Sequence, residues 1–279
     1  MDIEVVQFSR SDIPFGKSLT DSEDWLRTLD DWERLIRIEP RGLLKARSGG
    51  KDIGIGAVLT YDDVGWIHSL IVHKRHRGIG AGKVLLEACV SMAEEWGVVT
   101  IKLDSVSGFE PFYEHMGFKR EFESRRFIGS GVALDSVAMN IRRTDLPDVF
   151  SFDRTMTGME RRRVLEEVYS DAPELAYSVR EGDKVAGYAM GRRGELYTHI
   201  GPVVSNSEEP IVAARLIGSV MHTRPSGKFR ICVPGFNSRA VSLVSRLGLE
   251  GCPSSTRMFR GATFQESLST YGMISPEKG

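Results

Sequence analysis

With 279 residues, 41% of them hydrophobic and 27% charged, the chain is long enough for two domains of ordinary size, each with its own core. A formal net charge of −1 gives no global electrostatic footprint for nucleic acid or an anionic membrane surface, so the expected partner is a small molecule or peptide. Three widely separated cysteines (Cys89, Cys232, Cys252) argue against a disulfide framework or a metal site, and an N-terminus without a basic-then-apolar pattern, with no run of about 18 apolar residues elsewhere, predicts a cytoplasmic protein.

In chain order, the first half predicts a strand near Glu4–Phe8, helical segments between Asp21 and Ile38, and strands at Leu43–Arg47, Ile53–Tyr61 and Trp66–Val72. A long helix follows over Ala81–Trp96, with Leu85, Cys89, Met92 and Trp96 as an apolar stripe and Gly97 as its stop. Val99–Leu103 reads as a buried strand, Glu110–Met116 as a short helix closed by Gly117, and Phe118–Ile128 as a strand or hairpin. The same order returns: strands near Leu175–Arg180, Val185–Gly191 and Tyr197–Val203, a helix at Ile211–His222, a strand at Phe229–Val233, a helix at Ser238–Leu247 and a final strand holding Arg257 and Met258. Before these, Arg161-Arg162-Arg163 lies in a predicted helix among Glu160, Glu166 and Glu167 and reads as a solvated face.

The return is an internal repeat. Gly56 matches Gly187, His68 matches His199, Val72 matches Val203 and Gly117 matches Gly248, each pair 131 residues apart. Two mixed α/β modules follow, residues 1–135 and 136–279.

Arg75-His76-Arg77-Gly78-Ile79-Gly80-Ala81-Gly82-Lys83 sits between a strand-rich run and the long helix. Alternate glycines remove Cβ atoms that would hold a ligand off the backbone, and the helix that follows presents unpaired N–H groups and its positive dipole end. Such a loop suits a pyrophosphate. Gly82-Lys83 is followed by Val84, not Ser or Thr, which excludes a Walker loop. The loop also follows several antiparallel-looking strands, unlike a dinucleotide fingerprint.

Leu70-Ile71-Val72 followed by Arg77-Gly78-Ile79-Gly80-Ala81-Gly82 resembles the Arg/Gln-x-x-Gly-x-Gly/Ala acyl-CoA signature of the GNAT superfamily of N-acetyltransferases. Phe112-Tyr113-Glu114-His115-Met116-Gly117-Phe118 resembles that family's second hallmark, and the likeness spans roughly residues 3–135. The resemblance implies tandem GNAT-like modules, each a mostly antiparallel sheet splayed at the cofactor site with helices on both faces. It implies acetyl-CoA as cosubstrate, pantetheine beside Leu70, Ile71 and Val72, and diphosphate on Arg77, Gly78, Ile79, Gly80, Ala81, Gly82 and Lys83.

Transfer from a thioester to an amine needs a neutral amine, an oxyanion stabiliser and a proton for the departing thiolate. The resemblance puts Tyr113 at the general-acid position; packing beside Phe112 is its structural alternative. An alkyl amine is on the order of one part in two thousand neutral at pH 7, so a base would help. His68 is the candidate, although His199 in the other half equally suggests a role in the fold. Asp62 and Asp63 read as turn residues with a possible pull on a cationic acceptor.

In the second half Ser205–Pro210 replaces the glycine loop with two glutamates, and Val244 replaces Tyr113. That module is expected to have lost acetyl-CoA and to complete or cover the acceptor cleft. Asn237 or Ser238 is the expected N-cap of its last helix, with substrate contact by Asn237 as the other reading. The function expected is N-acetyl transfer to a small-molecule or peptide amine, without metal, nucleic acid or membrane, by a monomer or homodimer. A noncatalytic acyl-CoA sensor and an interaction scaffold stand as alternatives.

Overall fold

The computed structural model describes residues 2–131, 138–206 and 209–279. It divides into two compact units, Met1–Leu103 and Asp104–Gly279. The expected boundary at 135/136 lies outside the described residues.

The first unit carries β1 (Glu4–Gln7), α1 (Ile13–Asp21), α2 (Leu29–Ile38), β2 (Leu43–Ser48), β3 (Lys51–Tyr61), β4 (Val64–Val72), α3 (Ala81–Glu95) and the start of β5 (Thr100–Val106). Strands β1 to β4 form an antiparallel meander, and β5 joins β4 in parallel after the crossover through α3. The parallel pairing covers only Val64–Trp66 against Thr100–Lys102, while β4 runs on to Val72. Helix α3 buries Ala81, Leu85, Leu86, Cys89, Val90 and Ala93, so its inner face is turned from the stripe read in the sequence, and Met92 and Trp96 are only half-buried. Close approach of α3 to β3 depends on Gly56, where a Cβ would stand 3.0 Å from Cys89 Sγ. On the other face Phe8, Leu19, Trp32, Leu35, Leu43 and Ile55 form a core with α1 and α2. Helix α2 starts where Thr28 and Asp31 cap each other: Thr28 Oγ1 accepts from Asp31 N at 3.0 Å and Asp31 Oδ2 from Thr28 N at 3.0 Å.

The second unit carries α4 (Glu110–His115), β6 (Lys119–Gly129), β7 (Met139–Asn140), α5 (Leu146–Thr157), α6 (Arg162–Asp171), β8 (Tyr177–Glu181), β9 (Lys184–Arg193), β10 (Thr198–Ser205), α7 (Ile211–His222), β11 (Phe229–Pro234), α8 (Ser238–Arg246), β12 (Glu250–Gly261) and β13 (Thr270–Gly272). Its sheet runs β12-β6-β11-β10-β9-β8-β7. Strand β6 pairs with β11 on one edge and β12 on the other, which ties it to the later part of the chain. Parallel pairing of β10 with β11 stops at Ile200↔Ile231, as in the first unit. Here, however, β13 enters the gap. It pairs with β10 at Val203↔Gly272 and Val204↔Thr270, and Met273 N donates to Cys232 O at 2.8 Å. The sequence reading ended at β12 and missed this strand.

The arginine run is not a solvated face at its first residue. Arg161 is 2% exposed and donates from Nε to Asp153 Oδ2 at 3.0 Å, while Tyr188 Oη donates to Asp153 Oδ1 at 2.6 Å. Burial, with the Asp153 charge beside it, pushes the Tyr188 phenol well above its ordinary value, so it remains a donor.

Two stability outcomes follow from the second unit. Asp153→Ala strands a buried guanidinium and should cost about 3–5 kcal/mol in urea unfolding, against ~1 kcal/mol or less for Asp148→Ala, whose carboxylate is exposed. Tyr271, 1% exposed on β13, should cost roughly 3–5 kcal/mol when cut to alanine, whereas Leu268→Ala at 58% exposure should leave the midpoint unchanged.

Candidate functional site

Strand β4 carries an irregularity at its centre. Ala57 pairs with His68 and Ile55 with Ile71, so Gly56 faces both Ser69 and Leu70. Ser69 takes φ +55°, a left-handed conformation rare for a residue with a side chain. In a regular strand neighbours point to opposite faces, so a serine following a histidine would not be read as its partner. The bulge breaks that alternation: Ser69 Oγ lies 2.8 Å from His68 Nδ1 and accepts from Arg27 Nη1 at 2.8 Å. All three side chains are buried, at 4%, 6% and 4% exposure for Ser69, His68 and Arg27.

Arg27 is held from its other side. Its guanidinium carbon lies 4.8 Å over the Trp32 ring, on the helix that the Thr28–Asp31 caps initiate one residue later. The chain reaches Arg27 through two left-handed residues, Asp24 at φ +55° and Leu26 at φ +53°. Strained backbone thus stands on both sides of the Arg27–Ser69 contact. Neither residue carried a sequence signal.

Beyond β4 the loop has the expected form. A short 3-10 turn at Lys74–His76 leads to Arg77, Gly78 at φ +80° and Gly80 at φ +91°, the N-cap of α3. A Cβ at Gly78 or Gly80 would meet nothing within 4 Å, so glycine is required there by backbone conformation and leaves an open surface. The first helical bond runs from Val84 N to Gly80 O at 3.1 Å, which leaves the amides of Ala81, Gly82 and Lys83 without an acceptor in the helix. Gly82 lies inside α3 and Ile79 is exposed.

The basic residues are less free than the sequence suggested. Arg77 donates from Nε to Val72 O at 3.0 Å and from Nη2 to Glu23 Oε1 at 2.5 Å. Lys74 donates to Ser22 O at 2.7 Å, and Lys83 pairs with Glu87 at 3.8 Å. The segment after α1 is therefore fastened to the loop through Glu23 and Ser22. Such exposed pairs contribute about 1 kcal/mol or less each, so an arriving anion can take Arg77 over at small cost.

Asp62 and Asp63 form the tight turn between β3 and β4, with Asp62 at φ +52°, at the end of β4 opposite the loop. In the second unit Tyr113 lies on α4, half-buried, its ring edge-on to Phe112 at 5.1 Å and Phe118 at 6.0 Å. Asn237 caps α8, accepting from Ala240 N at 3.1 Å, and its amide donates to Leu268 O and Thr270 O at 2.9 Å each. The 1%-exposed side chain thus fastens the approach to β13.

The two modules can be compared at the same points. Phe118 N bonds to Tyr113 O at 3.0 Å and Leu249 N to Val244 O at 3.2 Å, so Tyr113 and Val244 are counterparts at the ends of α4 and α8. The histidines are not. The bulge in β10 falls between the pairs Ile200↔Gly191 and Val203↔Ala189, which makes Ile200 the counterpart of His68 and Gly201 that of Ser69. A one-residue slip on a strand reverses the face, so His199 gives no evidence that His68 serves the fold. Residues Ser207 and Glu208 of the replaced loop lie outside the described residues; among the described ones, β13 fills the opening beside β10.

No helix is long and apolar enough to cross a membrane among the described residues, nor do they contain a cluster of three or more metal-ligating side chains. Family models of the acetyltransferase (GNAT) domain match residues 23–141 and, separately, 149–272. Among curated proteins the chain is similar to holothin acyltransferase of Pseudoalteromonas sp. (strain SANK 73390), 24% identical over 245 residues that cover 86% of this chain and 82% of that one. It is also similar to the uncharacterized N-acetyltransferase YitH of Bacillus subtilis (strain 168), 24% identical over 59% of this chain and 58% of the relative. In fold it resembles a Pyrococcus horikoshii protein assigned as an acetyltransferase, with a TM-score of 0.82, 22% identity and coverage of 99% of this chain and 96% of that one. A tandem GNAT protein from the clavulanic acid biosynthesis pathway aligns with a TM-score of 0.65 at 14% identity, covering 95% and 100% of the two chains. With two such domains in tandem over most of its length, the chain belongs to the GNAT acetyltransferase family of acyl-transferring enzymes.

Proposed function

We propose that the first module binds acetyl-CoA and transfers its acetyl group directly to a primary amine, and that the second module binds no cofactor. The observation that carries this reading is the pairing of two features at one end of β4. Its backbone edge runs on past the last β5 partner at Trp66, and directly beyond it a helix start flanked by left-handed Gly78 and Gly80 presents unpaired amides. An extended amide-bearing chain ending in a diphosphate satisfies both at once. Leu70, Ile71 and Val72 would receive the pantetheine, and Arg77 through Lys83 the diphosphate, with Arg77 leaving Glu23 for the phosphate.

In this reading the amine lone pair attacks the thioester carbon, Tyr113 protonates the departing thiolate, and His68 takes up the proton the amine loses. A phenol with a reference pKa of about 10 is matched to a thiol leaving group. A small-molecule or peptide amine is the acceptor class, and the protein acts in the cytoplasm as a monomer or homodimer.

Calorimetry with acetyl-CoA tests the first claim: one site per chain is expected, and two sites would mean that the second module also binds. Gly80→Glu places a side chain at φ +91° and a negative charge in the cradle, and should weaken binding roughly 100-fold or more, about 2.7 kcal/mol. Unchanged affinity would move the diphosphate elsewhere. Thiol release across an amine panel tests turnover, against a protein background lowered because burial raises all three thiols, Cys89 to about 12 and Cys232 and the half-buried Cys252 in the same direction. Tyr113→Phe should lower kcat by about 100-fold or more while leaving the affinity for acetyl-CoA intact. Binding without turnover on any amine would instead favour a sensor.

A further inference from the structure

The contact between Arg27, Ser69 and His68 fixes more than packing. A guanidinium has only hydrogens to give, so Ser69 Oγ is the acceptor in its 2.8 Å bond with Arg27 Nη1. The hydroxyl has a single proton of its own. Its other partner, at 2.8 Å, is His68 Nδ1. Were Nδ1 to carry a hydrogen, Ser69 would accept twice and its own proton, on a residue 4% exposed, would be left without a use. The arrangement that uses both the Arg27 and the Ser69 hydrogens runs one way: Arg27 to Ser69, Ser69 to His68 Nδ1.

We propose that Arg27 and Ser69 are positioning residues that lock His68 in its Nε2–H tautomer, so that Nδ1 is the basic nitrogen and the Ser69 hydroxyl is its proton entry. This rests on the acyl-transfer reading for its role in turnover, though not for the tautomer itself. In the step, the amine N–H bond breaks and its proton goes to Ser69 Oγ while the Ser69 proton passes to His68 Nδ1. The amine lone pair forms the C–N bond, and the C–S pair leaves on sulfur and takes the Tyr113 proton. The device is particular to the first module. At the matching bulge of β10 the counterparts of His68 and Ser69 are Ile200 and Gly201, which have neither ring nitrogen nor hydroxyl. The left-handed φ of +55° at Ser69 has the same meaning: a glycine would sit there without strain, and a serine is kept for its oxygen.

The test is long-range proton–nitrogen NMR of the full-length, uniformly ¹⁵N-labelled protein, with His68 signals assigned by their loss in His68→Gln. In the wild type the neutral imidazole should show Nε2 protonated and Nδ1 unprotonated. Ser69→Gly removes the hydroxyl while relieving the backbone, so the fold, followed by circular dichroism and the unfolding midpoint, should hold while the tautomers mix. Arg27→Met should loosen the lock in the same direction. With an accepted amine, Ser69→Gly should lower kcat about tenfold or more, leave KM for acetyl-CoA unchanged, and shift the rising limb of the pH profile. A neutral wild-type ring protonated at Nδ1, or a Ser69→Gly protein with unaltered tautomer, overturns the proposal; a shifted tautomer with unaltered kcat and pH profile overturns its role in catalysis. A wild type that shows the Nε2–H form yet acetylates no amine would instead remove the acyl-transfer reading and leave the lock standing.

Discussion

Past Trp66, one edge of β4 has no strand paired with it among the described residues. Each buried peptide group left unsatisfied costs about 1–3 kcal/mol, so such an edge is stable only if water, a ligand or another piece of chain completes it. The rest of the first module is arranged around that condition. The bulge at Ser69 turns the strand at this point, α3 starts just beyond it, and two left-handed glycines aim the free amides of the helix start over open surface. The amide-bearing chain ending in a diphosphate that is proposed as the ligand has the chemistry to answer these features together.

The second module meets the same condition differently. Its β10 parts from β11 after Ile200, as β4 parts from β5 after Trp66, and the exposed edge is then taken by Thr270–Gly272. Gly201 is shaped to this occupant, since a Cβ there would stand 1.9 Å from Met273 O. Asn237 contributes from the side by holding the carbonyls of Leu268 and Thr270 while it caps α8. That edge is satisfied by the protein itself, which agrees with the proposal that this module, without the loop glycines and with Val244 in place of a phenol, binds no cofactor.

Much of this was legible in the sequence because it rests on local rules. The glycine loop before a helical run, the order of strands and the pairing of Tyr113 with Val244 depend on spacing and on backbone conformations that few residues tolerate. What was not legible depends on chain segments far apart in sequence. Strand β13 is three residues long and hydrophobic only in Tyr271, so no periodicity announces it; it exists because β10 offers an edge. Arg161 looked like one of three solvated arginines because its partner Asp153 lies on another helix. The uniform spacing of 131 misled at the histidines, where the two β-ladders keep different offsets and a slip of one residue exchanges buried and exposed faces.

The Arg27–Ser69 contact belongs to the same class, and it explains why so much unfavourable backbone is gathered in one place. Asp24, Leu26 and Ser69 all occupy left-handed conformations within two segments that meet. Glycine at any of them would relieve the backbone, so their side chains or the path they force must give something back. For Ser69 the return is a hydroxyl between a guanidinium and an imidazole. Asp24 and Leu26 lie on the bend from which Arg27 reaches over the Trp32 ring, directly before the helix fixed by Thr28 and Asp31. The same bend carries Glu23 to Arg77. One strained turn therefore touches both the strand that would hold the thioester, through Arg27 and Ser69, and the loop that would hold the phosphates, through Glu23 and Arg77.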